Sequence, residues 1–293
     1  MAEYNSKNKF NSLGLFIKGA IIFICIALVI YLLSSNSLDN LNSLKSDFPK
    51  LSNPKTITYN WEYKGDDYSI SQTLYGSVYD YYKQQASSYS YYSDNLPENW
   101  QEEYYKMYLE LNKEDDSISR LLKSLEGEAE SNNLSADETV ELILSFVQSL
   151  DYDENLADEM LSDEGDLGAK RPYVVLYEKS GTCSGKSFLA YNLLKKFGYG
   201  VALFDYESDQ HLTVAVKCDK RYSTYESGYC FAETVKPGYP IGIISSLVDS
   251  SSQADDILDL GGNNKDEELS DVEIYLKTEG KTYDKVKDNI ESW

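Results

Sequence analysis

The chain has 293 residues, 42% of them apolar, enough for one domain with a sizeable core plus accessory segments. Its 27 Lys and Arg stand against 49 Asp and Glu, a formal charge of −22. A field of that sign opposes phosphate, which excludes nucleic acid as a partner, and it repels anionic headgroups, so charge cannot hold the chain at a membrane.

Residues 13–33, LGLFIKGAIIFICIALVIYLL, are apolar except for Lys18. A run of about 20 such residues crosses the hydrocarbon core as a helix, and Lys18 is near enough to one end to snorkel. A cleaved signal peptide is the alternative, but the run is long for one and Leu33-Ser34-Ser35-Asn36 is a poor small-x-small cleavage site. Lys7, Lys9 and Lys18 precede or enter the span, whereas Asp39, Lys45, Asp47 and Lys50 follow it. The reading is a single-pass membrane protein with residues 1–12 cytoplasmic and the main domain extracytoplasmic. Residues 34–55, rich in Ser, Asn and Asp and ending in Pro49 and Pro54, read as a stalk.

Residues 56–134 form a tyrosine-rich accessory region. Ile57 to Tyr63 and Tyr68 to Ser71 alternate around Lys64-Gly65-Asp66-Asp67, the pattern of a β-hairpin with half-buried tyrosines. Tyr104, Tyr105 and Tyr108 with Leu109 and Leu111 have helical spacing, and Ile118, Leu121, Leu122 and Leu125 make a second apolar stripe after Ser117. The core is expected over residues 135–248. It opens on a capping box, Ser135 with Glu138, before a helix carrying Leu142, Ile143, Phe146, Val147 and Leu150. After the acidic loop from Asp151 to Asp166, the short apolar run Tyr173 to Tyr177 reads as a strand, followed by a loop and a helix from Cys183 to Phe197 stopped by Gly198. Strands are predicted at Val201–Tyr206, His211–Lys217 and Tyr229–Val235, and one more, Val272–Lys277, in the acidic C-terminal segment 249–293.

Cys25 lies in the anchor, which leaves Cys183, Cys218 and Cys230 outside, where disulfides are allowed and an odd count leaves one thiol over. With His211 the sole histidine and no C-x-x-C pair, no metal site is expected, and no cofactor motif is evident. Cys183 opens a helix in Gly181-Thr182-Cys183-Ser184-Gly185-Lys186-Ser187, where the positive end of the helix dipole favours thiolate. An inert buried cysteine is the bland reading of that position. His211, at the start of an apolar strand, is the imidazole available to serve as base, and Glu233, among apolar neighbours on the next strand, needs a partner. On antiparallel strands their parity lets them share a face. Cys218 and Cys230 have the opposite parity and are candidates for a cross-hairpin disulfide, although setting His211 opposite Glu233 places Cys218 opposite Glu226 and requires a bulge.

Gly-x-Cys at a helix start, His at a strand start, Glu233-Thr234 on the next strand and a later Pro237-Gly238-Tyr239-Pro240-Ile241-Gly242 together resemble the transglutaminase-like superfamily, in particular its prokaryotic members; the match covers roughly residues 135–245. Phe146-Val147-Gln148-Ser149-Leu150-Asp151-Tyr152 is similar to the helix end that precedes the nucleophile there. The resemblance implies an α+β fold in which the helix bearing the nucleophile packs on an antiparallel sheet. It also implies a Cys183–His211–Glu233 triad acting on amide bonds through a thioester, as protease, amidase or transglutaminase, on a protein or peptide substrate such as one of the cell envelope. The family's third member is most often Asp, and its close members carry acidic residues beside the nucleophile where this chain has Thr182, Ser184 and Gly185.

The Cys183 amide is a natural oxyanion donor and Gln148 a candidate second one, against the plain reading of a solvated helix-end Gln. Two other readings stand beside the enzyme. One is a non-catalytic surface-binding module that keeps the fold. The other is a nucleotide-binding P-loop ending in Gly185-Lys186-Ser187, but G-x-x-x-x-G-K-[ST] requires Gly where Ser180 stands.

Overall fold

The hairpin closes on two residues. Lys64 and Gly65 have φ of 52° and 86°, the paired positive values of a tight turn whose twist matches its strands. It joins β1 (Pro54–Tyr63) to β2 (Asp66–Tyr75), in register from Pro54 opposite Tyr75 to Tyr63 opposite Asp66. The computed structural model describes residues 48–88, 97–161, 168–245 and 272–293. The expected span at 13–33 lies outside these; among the described residues no helix is long and apolar enough to cross a membrane.

Alternation along the hairpin sets Ile57, Tyr59, Trp61 and Tyr63 on the buried face with Tyr68, Ile70 and Leu74. After α1 (Gly76–Lys83), α2 (Trp100–Leu109) and α3 (Ser117–Ser131) comes α4 (Ala136–Gln148), whose capping box is formed: Ser135 Oγ accepts from Glu138 N, and Glu138 accepts from Ser135 N. Phe146 of α4 meets the rings of Tyr59 and Trp61 edge-on at 5.3 and 5.4 Å, so the tyrosine hairpin is docked onto the helix and its inner face belongs to the core.

A short β3 (Asp151–Tyr152), α5 (Glu154–Leu161), α6 (Pro172–Glu178) and β4 (Ser180–Gly181), which pairs in parallel with β3, lead into α7 (Cys183–Phe197). Here the structure corrects the strand expected at Tyr173–Tyr177, which is helical. Pro172 supplies the pre-set φ of a first helical position, and five consecutive apolar residues carry no period that separates strand from helix. Gly198, at φ 94°, ends α7 in the left-handed conformation.

The main sheet is antiparallel throughout, in the order β7–β6–β5–β8, with β5 (Val201–Tyr206), β6 (His211–Lys217), β7 (Tyr229–Ala232) and β8 (Val272–Tyr275). α7 packs against β5 and β6 and against α3, α4 and α6, burying Phe188, Leu189, Ala190, Leu193 and Leu194. Ala202, Phe204, Tyr206, Ala215 and Phe231 form the core on the sheet's alternate side-chain positions. The architecture is α+β. The C-terminal segment carries more than the one expected strand: Lys281 bridges Tyr199, Tyr283 bridges Cys218, and α8 (Val286–Ser292) follows.

Candidate active site

Cys183, His211 and Glu233 come from three elements and meet at one end of the sheet. Cys183 is the first residue of α7, 9% exposed, and the one unpaired cysteine among the described residues. Its Sγ lies 3.9 Å from the carbonyl oxygen of Gln210 and 3.9 Å from Ser184 Oγ. The His211 imidazole and the Leu212 amide are groups that favour its charged form. His211 opens β6 after the left-handed Gln210, a sharp entry that turns the ring back over the start of α7. Glu233 follows the last residue of β7 and is 0% exposed.

One oxygen of Glu233, Oε1, accepts from the amides of Thr234 at 2.8 Å and Val235 at 2.7 Å. The other, Oε2, stands 3.7 Å from His211 Nε2, too far for a hydrogen bond, and neither of these two buried atoms has a hydrogen-bond partner. The imidazole therefore stands between thiol and carboxylate. Burial acts most strongly on both titrating groups, pushing the Cys183 thiol up and the His211 imidazolium down. Their mutual interaction outweighs it, so the thiol is held below its ordinary value and the imidazole above. Glu233 and Asp209 add to the His211 shift.

The register differs from the one expected. The last β6–β7 pair is Val214 with Ala232, so Glu233 falls level with Thr213 and reaches His211 diagonally. This two-residue offset preserves the parity that places both on one face. It also sets Cys218 level with Gly228, whose carbonyl accepts from the Cys218 amide. Cys218 is then diagonal to Cys230 with Cα atoms 5.8 Å apart, and the two are disulfide-bonded with no bulge.

Gln148 is brought to the same place by the end of α4. Its Nε2 donates to the Glu233 main-chain carbonyl at 2.9 Å, bracing that residue and leaving one amide hydrogen for any oxyanion role. Tyr152 is set beside Gly181 by the β3–β4 pairing and is 36% exposed. Burial first, then the charge of Cys183, pushes that phenol up to about 12. Ser187 Oγ donates to the Leu212 carbonyl at 2.9 Å and lies 2.9 Å from Thr234 Oγ1, tying α7 to both strands.

Lys186, on which the P-loop reading turned, lies in the interior. It is 1% exposed and donates to the carbonyls of Gln148 at 3.1 Å and Leu150 at 2.8 Å, which leaves it no access to a phosphate. The signal was its spacing: it lies three and four residues before Leu189 and Ala190, on the buried stripe of α7. An open cleft of about 500 Å³ beside β1, lined by Lys55, Ile57, Tyr79, Tyr177 and Lys179 among others, contains neither a thiol nor an imidazole and is not where nucleophilic chemistry sits. Among the described residues no group of His, Cys, Asp and Glu offers a metal site. No family model, curated protein or solved structure matches the chain.

Proposed function

We propose that the chain is a transglutaminase-like thiol enzyme that acts on amide bonds by acyl transfer, as a cysteine protease, amidase or transglutaminase. The observation that carries the reading is the alignment of a helix-start thiol, the sole histidine and a fully buried carboxylate. The Cys183 thiolate attacks a carboxamide or peptide carbonyl, forming a C–S bond while the oxygen becomes negative. The Cys183 amide stabilises that oxygen. His211 gives its proton to the leaving nitrogen as the C–N bond breaks, leaving a thioester. Water or an amine then attacks, His211 takes up the attacking group's proton, and the C–S bond breaks to restore the thiolate. Glu233 holds the imidazole in orientation and stabilises its charged form throughout.

The resemblance to papain-like and transglutaminase-like cores rests on the order of these elements and on Glu233-Thr234 with Pro237-Gly238. The apolar run at 13–33 supports a single membrane anchor that presents this domain on the extracytoplasmic side, to cell-envelope peptides and proteins as substrates. A second reading, a non-catalytic module that keeps the fold, draws on the 9% exposure of Cys183 and the 3.7 Å gap between His211 and Glu233. Thiol-dependent cleavage of amides in a panel of cell-envelope peptides, lost in Cys183→Ala, separates the two. A well-folded wild-type chain that neither cleaves nor forms a thioester with any of them favours the module.

A further inference from the structure

The cleft beside β1 takes no part in the chemistry above, yet it is built along a strand edge. It runs past the successive residues Lys55 to Thr58, and Tyr79 of α1 with Tyr177, Glu178 and Lys179 at the end of α6 lines the rest. The register says which main-chain groups face it. Tyr63 and Asp66 flank a two-residue turn and so exchange both of their hydrogen bonds, and the same holds at every second pair down to Ile57–Gln72 and Lys55–Leu74. Thr56 and Thr58 fall between these, in pairs whose main chains do not bond each other but whose side chains come closer. The contacts agree: Thr56 Oγ1 lies 3.1 Å from Thr73 Oγ1, and Thr58 Oγ1 lies 2.8 Å from Ser71 Oγ. Among the described residues β1 pairs with β2 alone, so the N–H and C=O of Thr56 and Thr58 are turned out of the hairpin, without a main-chain partner, where the cleft lies.

The charge of the cleft opposes that of the chain. In a protein of formal charge −22, Lys55 and Lys179 are both exposed, and neither has an ion-pair partner among the described residues. Glu178, the carboxylate in the lining, is already held by Lys170 at 2.6 Å, by the Tyr79 hydroxyl at 2.5 Å and by Lys83 at 3.8 Å. A lysine on an edge strand can serve simply to ward off other strands. Lys55 instead lies over the Tyr177 ring, 4.6 Å from its centre, and that ring stacks on Tyr79 at 4.4 Å, so the charge stands beside the open edge.

We infer that this cleft is a docking groove for an extended acidic peptide segment of a partner protein, added to β1 as a third strand. Its main chain bonds Thr56 and Thr58, and carboxylates on alternate residues meet Lys55 and Lys179. Two lysines and a tyrosine pair would also suit an acidic glycan, but a strand edge reads peptide main chain, which a glycan lacks. The groove holds under either reading of the thiol, since no residue of the triad lines it.

The test is fluorescence anisotropy of a labelled peptide of alternating Glu and Thr, titrated with the full chain at low salt, where the protein's overall field would otherwise repel it. Saturable binding is expected, weakened roughly fivefold to tenfold in Lys55→Gln/Lys179→Gln. Strand addition is tested on the peptide itself, so that the folding of a variant does not enter. N-methylation of the alternate amides turned to β1 should weaken binding at least about tenfold, and methylation of the other set should leave it nearly unchanged. No binding by the wild-type chain, binding indifferent to the two lysines, or equal losses from the two methylated peptides overturns the inference. Polygalacturonate that binds through the same lysines where the peptide does not would make the cleft a glycan site and overturns it as well.

Discussion

Removing the Cys218–Cys230 link is expected to cost stability without disturbing the site. The bond spans 12 residues of sequence. Constraining a loop of that length removes about 3 kcal/mol of conformational freedom from the unfolded chain. For a unit of this size that corresponds to a fall of roughly 6–12 °C in thermal midpoint. Both sulfurs are buried, with Cys218 5% and Cys230 0% exposed, so Cys218→Ala/Cys230→Ala adds only a small cavity to that loss. Chemistry should survive because the pair lies on the strand face opposite His211, and β6 and β7 keep their ladder from Val214–Ala232 to Lys217–Tyr229. Differential scanning calorimetry of the oxidised chain against the double variant gives the first number, and Cys183 alkylation at 25 °C the second. A thermal midpoint within about 2 °C of the oxidised chain would refute the loop argument. Alkylation that slows together with stability would show that the link shapes the site itself.

Glu233→Gln should fold, because the amide oxygen still accepts from Thr234 and Val235, yet it removes the negative charge beside the imidazole. Turnover is expected to fall at least tenfold, about 1.4 kcal/mol of barrier, and by less than in Cys183→Ala; steady-state kinetics equal to wild type would remove Glu233 from the triad. Ser135→Ala should cost about 1 kcal/mol in urea unfolding near neutral pH through loss of the α4 capping box. The bonds from Ser135 hold the Glu138 carboxyl down to about 2, so its contribution is present above the ordinary carboxylate range and is lost as pH falls towards that value. The difference between wild type and Ser135→Ala should therefore narrow in acid, and a constant difference would argue against the reciprocal bond.

Some of this was legible in the residues alone. The bounds of α7 follow from Cys183 at a helix start and Gly198 at its end, and the start of α4 from Ser135 and Glu138, because caps and left-handed glycines are local requirements. Parity placed His211 with Glu233 and Cys218 with Cys230, but parity is blind to slips of two residues, so the diagonal register and the bulge-free disulfide were not readable. The helix at Pro172–Glu178 was hidden by its brevity. The C-terminal closure was hidden because it is made by main chain: Gly200 N donates to Lys281 O, Lys281 N donates to Gly198 O, and a Cβ on Gly280 would stand 2.4 Å from Gly200 N. Lys186 was the hardest, since a lysine carries a strong expectation of exposure and only its place in the α7 stripe opposed it.

The central claim is that Cys183 and His211 form one reactive unit, and the most direct measurement is the rate of Cys183 alkylation by iodoacetamide near neutral pH in the wild-type chain and in His211→Ala. The account predicts a wild-type Cys183 that reacts faster than a free cysteine thiol, because the imidazolium and the helix-start amides stabilise its thiolate, and a clear loss of that advantage in His211→Ala. A Cys183 that reacts no faster than free cysteine, at a rate indifferent to His211, would contradict it.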